Sequence, residues 1–174
     1  VPFIVKWPAG VKPGMVSEQV ICTTDLFRTF ASLTGYNTGD DEGEDSYDIS
    51  TLFSEPAPET PLREATVHHS INGSFAIRKG EWKLIMCPGS GGWSFPRPGR
   101  DAEELAKLPD IQLYNLTDDP GESNNLQAQE VEKVEELKAL LISYIQEGRS
   151  TPGQPQFNDS ISFKWKQVDF AQMD

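Results

Sequence analysis

The spacing of apolar positions along this chain changes several times, and each change marks an element. Val1-Pro2-Phe3-Ile4-Val5-Lys6-Trp7 is β-branched and aromatic and stops at Pro8-Ala9-Gly10, which predicts a strand buried on both faces. Such a strand needs neighbours on either side, so the expectation is the tail of a longer protein whose main sheet it joins. From Thr24 the spacing becomes helical. Leu26, Phe27, Phe30 and Leu33 share one face, Thr23 or Thr24 can cap the start, Asp25 complements the dipole, and Gly35 supplies a left-handed stop. This helix is expected to pack on the same larger sheet. Periodicity then vanishes over 37–48, where Asp40, Asp41, Glu42, Glu44 and Asp45 lack the alternate-position ligands and final bidentate Glu of a calcium-binding EF-hand loop. A solvated loop is expected there.

Three prolines between Pro56 and Pro61 predict a rigid linker over 56–62, separating residues 1–55 from a second module at 63–147. Beyond it the period drops to two. Ala65–His69, Ser74–Arg78 and Trp82–Met86 read as short strands, joined through Asn72-Gly73 and Lys79-Gly80-Glu81, and Ile111–Leu116 reads as a fourth. Asp118-Asp119-Pro120-Gly121 turns the chain into a long amphipathic helix over 130–147, with Val131, Val134, Leu137, Leu140, Leu141, Tyr144 and Ile145 on its buried side. About four antiparallel strands packed against one long C-terminal helix make a small α+β subdomain. Residues 148–174, rich in Pro, Gln and Asp, are expected to form an extended tail.

Charge and cysteine usage narrow the function class. A formal net charge of −12 over 174 residues argues against a nucleic-acid partner, because a phosphate-binding surface needs clustered Lys and Arg. No apolar run reaches membrane-spanning length, so no membrane partner is expected. Cys22 and Cys87 lie far apart without CxxC spacing, and read as two ordinary buried thiols rather than a zinc site or disulfide framework.

Four segments, in this order, resemble the C-terminal portion of the sulfatases, the formylglycine-dependent sulfate ester hydrolases of the alkaline-phosphatase-like superfamily. They are Val1–Pro8, Cys22–Gly35, the hairpin Ala76-Ile77-Arg78-Lys79-Gly80-Glu81-Trp82-Lys83-Leu84-Ile85, and the turn Leu113–Leu126. The resemblance implies an α/β parent fold, of which residues 1–55 supply the last strand and helix of the main sheet, with the α+β subdomain appended. It also implies a partner in a missing N-terminal catalytic domain, a sulfated small molecule or carbohydrate as substrate, calcium as cofactor of the intact protein, and a periplasmic or secreted setting. The family nucleophile is a Cys or Ser in a C/S-x-P-x-R segment. Cys22 is followed by Thr-Thr-Asp and Cys87 by Pro-Gly-Ser-Gly, so neither fits, and the family's calcium carboxylates lie before this segment. The chain alone is therefore expected to be inactive and to hold no metal.

Candidate chemistry concentrates in the second module. His68 and His69 end a predicted strand and face opposite ways, so at most one can point at a given pocket. One reading is a surface or hydrogen-bonded pair; the other has one imidazole reaching the sulfate pocket as donor or acid. The insert Cys87–Arg100 carries Gly89-Ser90-Gly91-Gly92, Trp93, Phe95, Arg97 and Arg100 without a GxxxxGK[ST] phosphate loop. Trp93 could stack on a sugar ring while Arg97 or Arg100 pairs with sulfate or carboxylate. The competing reading is a long loop held down by a buried Trp. Two other function classes stay open: a non-catalytic binding or structural module, and the tail of a related phosphatase or phosphodiesterase.

Overall fold

The computed structural model describes residues 2–54, 59–158 and 166–171. These form two compact units, one of residues 1–64 with 149–156, the other of 65–148 with 157–174. Residues 56–58 of the expected linker lie outside the described residues, as do 159–165 and 172–174 of the expected tail.

In the first unit a single 3-10 turn at Thr23–Asp25 runs into α1 (Leu26–Thr34), which ends at Gly35 with φ 76°. A short helical turn, α2, spans Thr51–Ser54. The start is not capped by Thr23 or Thr24. The Asp25 carboxylate accepts the Cys22 amide at 2.7 Å instead, because that carboxylate is turned inward. The buried face of α1 also differs from the apolar one: Asp25, Thr29 and Ala31 are buried, whereas Phe27, Phe30 and Leu33 are exposed. Polar contacts explain the choice. Thr29 Oγ1 donates to Asp25 O at 2.6 Å and accepts the Ile49 amide at 3.0 Å, fastening that side of α1 to the following loop. Residues 2–8 form no strand, and Ile4 lies 88% exposed. An extended run without a pairing partner gains no ladder hydrogen bonds.

The acidic stretch is not a freely solvated loop. Arg28 donates to the carbonyls of Gly39, Glu42 and Gly43, and Arg149 donates to Asp40 O and pairs with its carboxylate at 3.2 Å. Backbone carbonyls of a tight loop need donors, and two arginines supply them. Arg149 begins the stretch 149–156, which belongs to this unit rather than running on as tail.

The second unit is a four-stranded antiparallel sheet in the order β1 (Thr66–His69), β2 (Phe75–Lys79), β3 (Trp82–Ile85), β4 (Gln112–Asn115). A short helix, α3 (Ala102–Leu105), lies between β3 and β4, and α4 (Val131–Glu147) follows. The row Val67–Ile77–Leu84–Leu113 faces α4. Ile77, Leu84, Leu113, Leu137 and Leu141 are fully buried there, each contributing about 1.5–3 kcal/mol of burial. Val131 was expected on that face but lies 57% exposed, since it occupies the first turn, beyond the sheet's cover. A 3-10 turn at Lys166–Ala171 adds Phe170 to the core and ties down through Gln167 Nε2, which donates to Asn72 O at 2.5 Å.

Candidate functional site

The strand register decides where the histidines go. His68 is paired with Ala76 and His69 with Phe75, so the two imidazoles project from opposite faces of the sheet. His69 follows Val67 on the face that α4 covers, but at the open end. Its Nδ1 lies 3.0 Å from Ser70 O, a pure acceptor, so Nδ1 carries a proton and Nε2 is the ring nitrogen turned away from that bond. His68 shares the other face with the row Thr66–Arg78–Lys83–Tyr114. Its ring edge still meets solvent, yet the surrounding protein removes enough water to push its pKa below the ordinary range, and the positive charges of Lys83 and Arg78 add to this. Lys83 is directly cross-strand from Arg78 and pairs with Glu122 at 2.6 Å, while Arg78 Nε donates to Gly80 O. The Thr66 hydroxyl on this face is buried and has no hydrogen-bond partner among the described residues.

The insert is built on the edge of that sheet. Gln112 Nε2 donates to the carbonyls of Cys87 and Gly89, both at 2.7 Å, and Gln112 Oε1 accepts the Tyr114 hydroxyl at 2.8 Å. This anchor was invisible to sequence reasoning, because a glutamine at an alternate strand position carries no periodic signal. The Asn72 amide donates to Gly91 O at 3.2 Å, which sets the 70–73 turn beside the insert. Gly91 has φ 59°, and a Cβ there would meet the Ser70 side chain and Cys87 Sγ, so glycine lets the two loops touch. Cys87 is buried, and desolvation pushes its thiol up, away from reactivity.

Among the insert's candidates, the geometry separates three roles. Trp93 is 84% exposed, so the loop is not held down by a buried Trp. Arg97 is committed, its amide and Nε both donating to Asp101 Oδ2 at 2.8 and 3.1 Å, which holds the Asp101 carboxyl below its usual range. The exposed Arg100 guanidinium makes no hydrogen bond or ion pair among the described residues. Sequence reasoning missed Ile71, which lies 69% exposed on the neighbouring turn with its Cγ2 close to Gly92.

No family model matches this chain. It is 35% identical over 147 residues to the N-acetylgalactosamine-6-O-sulfatase of Bacteroides thetaiotaomicron, covering 82% of this chain and 27% of that protein. It is 29% identical over 173 residues to the N-acetylgalactosamine-6-sulfatase of Sus scrofa, covering 90% and 32%. A solved chain described under metabolism of multiple glycosaminoglycans by Bacteroides thetaiotaomicron superposes with a TM-score of 0.60 at 30% identity, covering 82% of this chain and 28% of that one. The chain matches the C-terminal portion of a sulfatase. It spans about a third or less of the length of these curated relatives.

In this sulfatase segment the four-stranded sheet with its long helix is the C-terminal subdomain of the fold. Among the described residues no group of three His, Cys, Asp or Glu is placed to hold a metal ion. Asp25, Asp40 and Asp45, the carboxylates nearest to such a role by composition, are instead taken by backbone amides and arginines. Among the described residues, no helix is long and apolar enough to cross a membrane.

Proposed function

We propose that this chain is the substrate-shaping segment of an enzyme that hydrolyses sulfate esters of amino sugars. The observation that carries it is 35% identity to an N-acetylgalactosamine-6-O-sulfatase over 82% of this chain. On this reading the nucleophile and the metal carboxylates come from the N-terminal catalytic portion, which the relatives' greater length accommodates, and calcium serves there. The second unit contributes the rim of the cleft. His68, His69, Trp93, Arg97 and Arg100 all lie on it, and the anchoring by Gln112 and Asp101 fixes the insert on which three of them sit.

The rim residues divide by chemistry. His69 offers Nε2 for a hydrogen bond with a sugar hydroxyl, since its Nδ1 proton is engaged by Ser70 O. His68, whose pKa is lowered by partial desolvation and by the charge of Lys83, favours the neutral ring and can donate a hydrogen bond without adding charge. Arg97 is a strut bonded to Asp101, and the exposed Arg100 guanidinium acts on the same carboxylate through its charge. None of these groups is a nucleophile, so the segment alone releases no sulfate.

The deciding experiment is sulfate release from N-acetylgalactosamine 6-sulfate, measured on the full-length product of the open reading frame and on the 174-residue chain. Turnover by the former and none by the latter is expected. A full-length protein that cleaves the corresponding phosphate ester and leaves the sulfate intact would replace this reading with the phosphatase one.

A further inference from the structure

We infer that Asn72-Gly73, at the tip of the β1–β2 hairpin, is a site of spontaneous modification, deamidation to aspartate and isoaspartate, and that the docked 166–171 turn sets its rate. The inference goes beyond the proposed function and stands independently of it.

Asn72 is the only asparagine in the chain followed by glycine. A glycine amide approaches the side-chain carbonyl of a preceding asparagine without hindrance, because it carries no Cβ. In that step the Gly73 nitrogen forms a bond to Asn72 Cγ, the Cγ–Nδ2 bond breaks, and Nδ2 leaves as ammonia with the proton of the Gly73 amide. One water then opens the cyclic imide at either carbonyl, giving aspartate or an isoaspartate whose main chain is one carbon longer. The sequence is redox-neutral and consumes only water.

The hairpin tip prepares half of this reaction. Asn72 is exposed, and its Oδ1, where negative charge develops during the attack, accepts the Ser70 hydroxyl at 2.7 Å and the Ser74 amide at 3.0 Å. Two donors on that oxygen polarise the carbonyl. The other half is withheld. The Gly73 amide must give up its proton to attack, and it donates that proton to Ser70 O at 2.9 Å. Closing a five-membered ring onto Cγ also requires rotation about the Asn72 Cα–C bond out of the turn, which swings Asn72 O with it. That oxygen accepts Gln167 Nε2 at 2.5 Å, while the Asn72 amide is held by Gly91 O at 3.2 Å. The Gln167 side chain lies over the glycine itself, since a Cβ built on Gly73 would be 3.4 Å from its Nε2 and 3.6 Å from its Cδ. Phe170 of the same 3-10 turn packs against the core and Ala171 is buried, so the Gln167 latch releases when that turn lifts. Local opening of the 166–171 turn thus controls the reaction, well short of global unfolding. Isoaspartate at this position would lengthen the main chain between the groups that meet Gly91 and Gln167, making the release permanent.

The test is timed incubation of the full-length product of the open reading frame in mildly alkaline buffer, following the tryptic peptide 64–78 by mass spectrometry and by chromatographic separation of isoaspartate. Native wild type, Gln167→Ala and urea-unfolded wild type are compared. Asn72 is expected to convert before the other asparagines of this chain in all three. Conversion in Gln167→Ala should be about three- to tenfold faster than in the native wild type, the size set by one lost hydrogen bond, and fastest in the unfolded chain. Gln167→Glu keeps the shape but sets an acceptor against Asn72 O, and should age as fast as Gln167→Ala. Either variant ageing at the wild-type rate would overturn the latch, and another asparagine of this chain converting before Asn72 would overturn the site. Equal acceleration at the other asparagines would mean that the substitution loosens the whole fold, and would overturn the latch as well.

Discussion

The two units differ in how much charged and polar side chain they bury. In the second, the centre is Ile77, Leu84, Leu113, Leu137 and Leu141, all at 0% exposure, with the small polar residues Thr66 and Ser74 also buried. In the first, Ile49 at 2% and Phe53 at 8% are buried together with Asp25 at 0%, Thr29 at 0%, Arg149 at 2% and Arg63 at 7%, while Phe27, Phe30 and Leu33 are exposed. The sheet and helix saturate their own backbone groups, so side chains are free to be apolar. The loops of the first unit do not, and arginines must satisfy their carbonyls. A region rich in irregular backbone therefore invests its buried positions in donors, and its apolar helix face is left for another surface. In a sulfatase segment, we propose that this surface belongs to the catalytic portion.

The sharpest way to break this contrast is Asp25→Ala. It removes the acceptor of the Cys22 and Tyr47 amides and the partner of Arg63, which lies 3.0 Å away and stacks 4.8 Å over the Tyr47 ring. A loss of about 3–5 kcal/mol is expected in urea unfolding. Asp25→Leu with Arg63→Met should recover the part due to the stranded charge, while the unpaired Cys22 and Tyr47 amides keep their cost. If the single substitution has less effect than a surface mutation, the first unit is not held by its polar centre.

Leu137→Ala tests the other side. A cavity between α4 and the sheet should cost about 2–5 kcal/mol, read as faster hydrogen exchange across β2 to β4. Arg149→Ala comes next, with about 1–3 kcal/mol expected from the stranded carbonyls of Thr151, Pro152 and Gln154, seen as exchange confined to residues 39–48 and 149–156.

Acid separates the units more finely. Asp40 has its pKa lowered, first by the Gln154 amide and then by Arg149, so its contribution is present above the ordinary value of 3.8 and is lost as pH falls through the lowered one. His68 in the second unit also has a lowered pKa, but as a base: below the ordinary 6.5 the unfolded chain binds the proton more readily, so stability falls as pH drops from there through the lowered value. His68→Gln should flatten the slope of stability against pH just below 6.5 and leave the steeper loss near pH 4 untouched. The smallest effect belongs to Glu136→Gln at the Lys133 and Lys79 pairs, within about 1 kcal/mol.

Sequence alone determined the elements whose signal is local. The period-two runs gave four strands in their observed order, and the 3.6-residue run gave α4 to within a residue at its start. Gly35 ended α1 as its position foretold. The ordered segments that resemble sulfatases were equally legible, because motif order is a property of the chain itself. What lay beyond sequence was every choice made between competing partners. Which face of α1 is buried depended on Thr29 and Asp25 finding Ile49, Tyr47 and Arg63 far along the chain. The acidic loop looked solvated because nothing local announces that Arg28 and Arg149 will converge on it. Arg97 and Arg100 are indistinguishable as letters, and only the folded turn shows that Arg97 is the one hydrogen-bonded to Asp101. Local geometry is written in backbone propensity and side-chain period; the pairing of buried polar groups is decided by long-range contacts that only the folded chain brings within hydrogen-bonding distance.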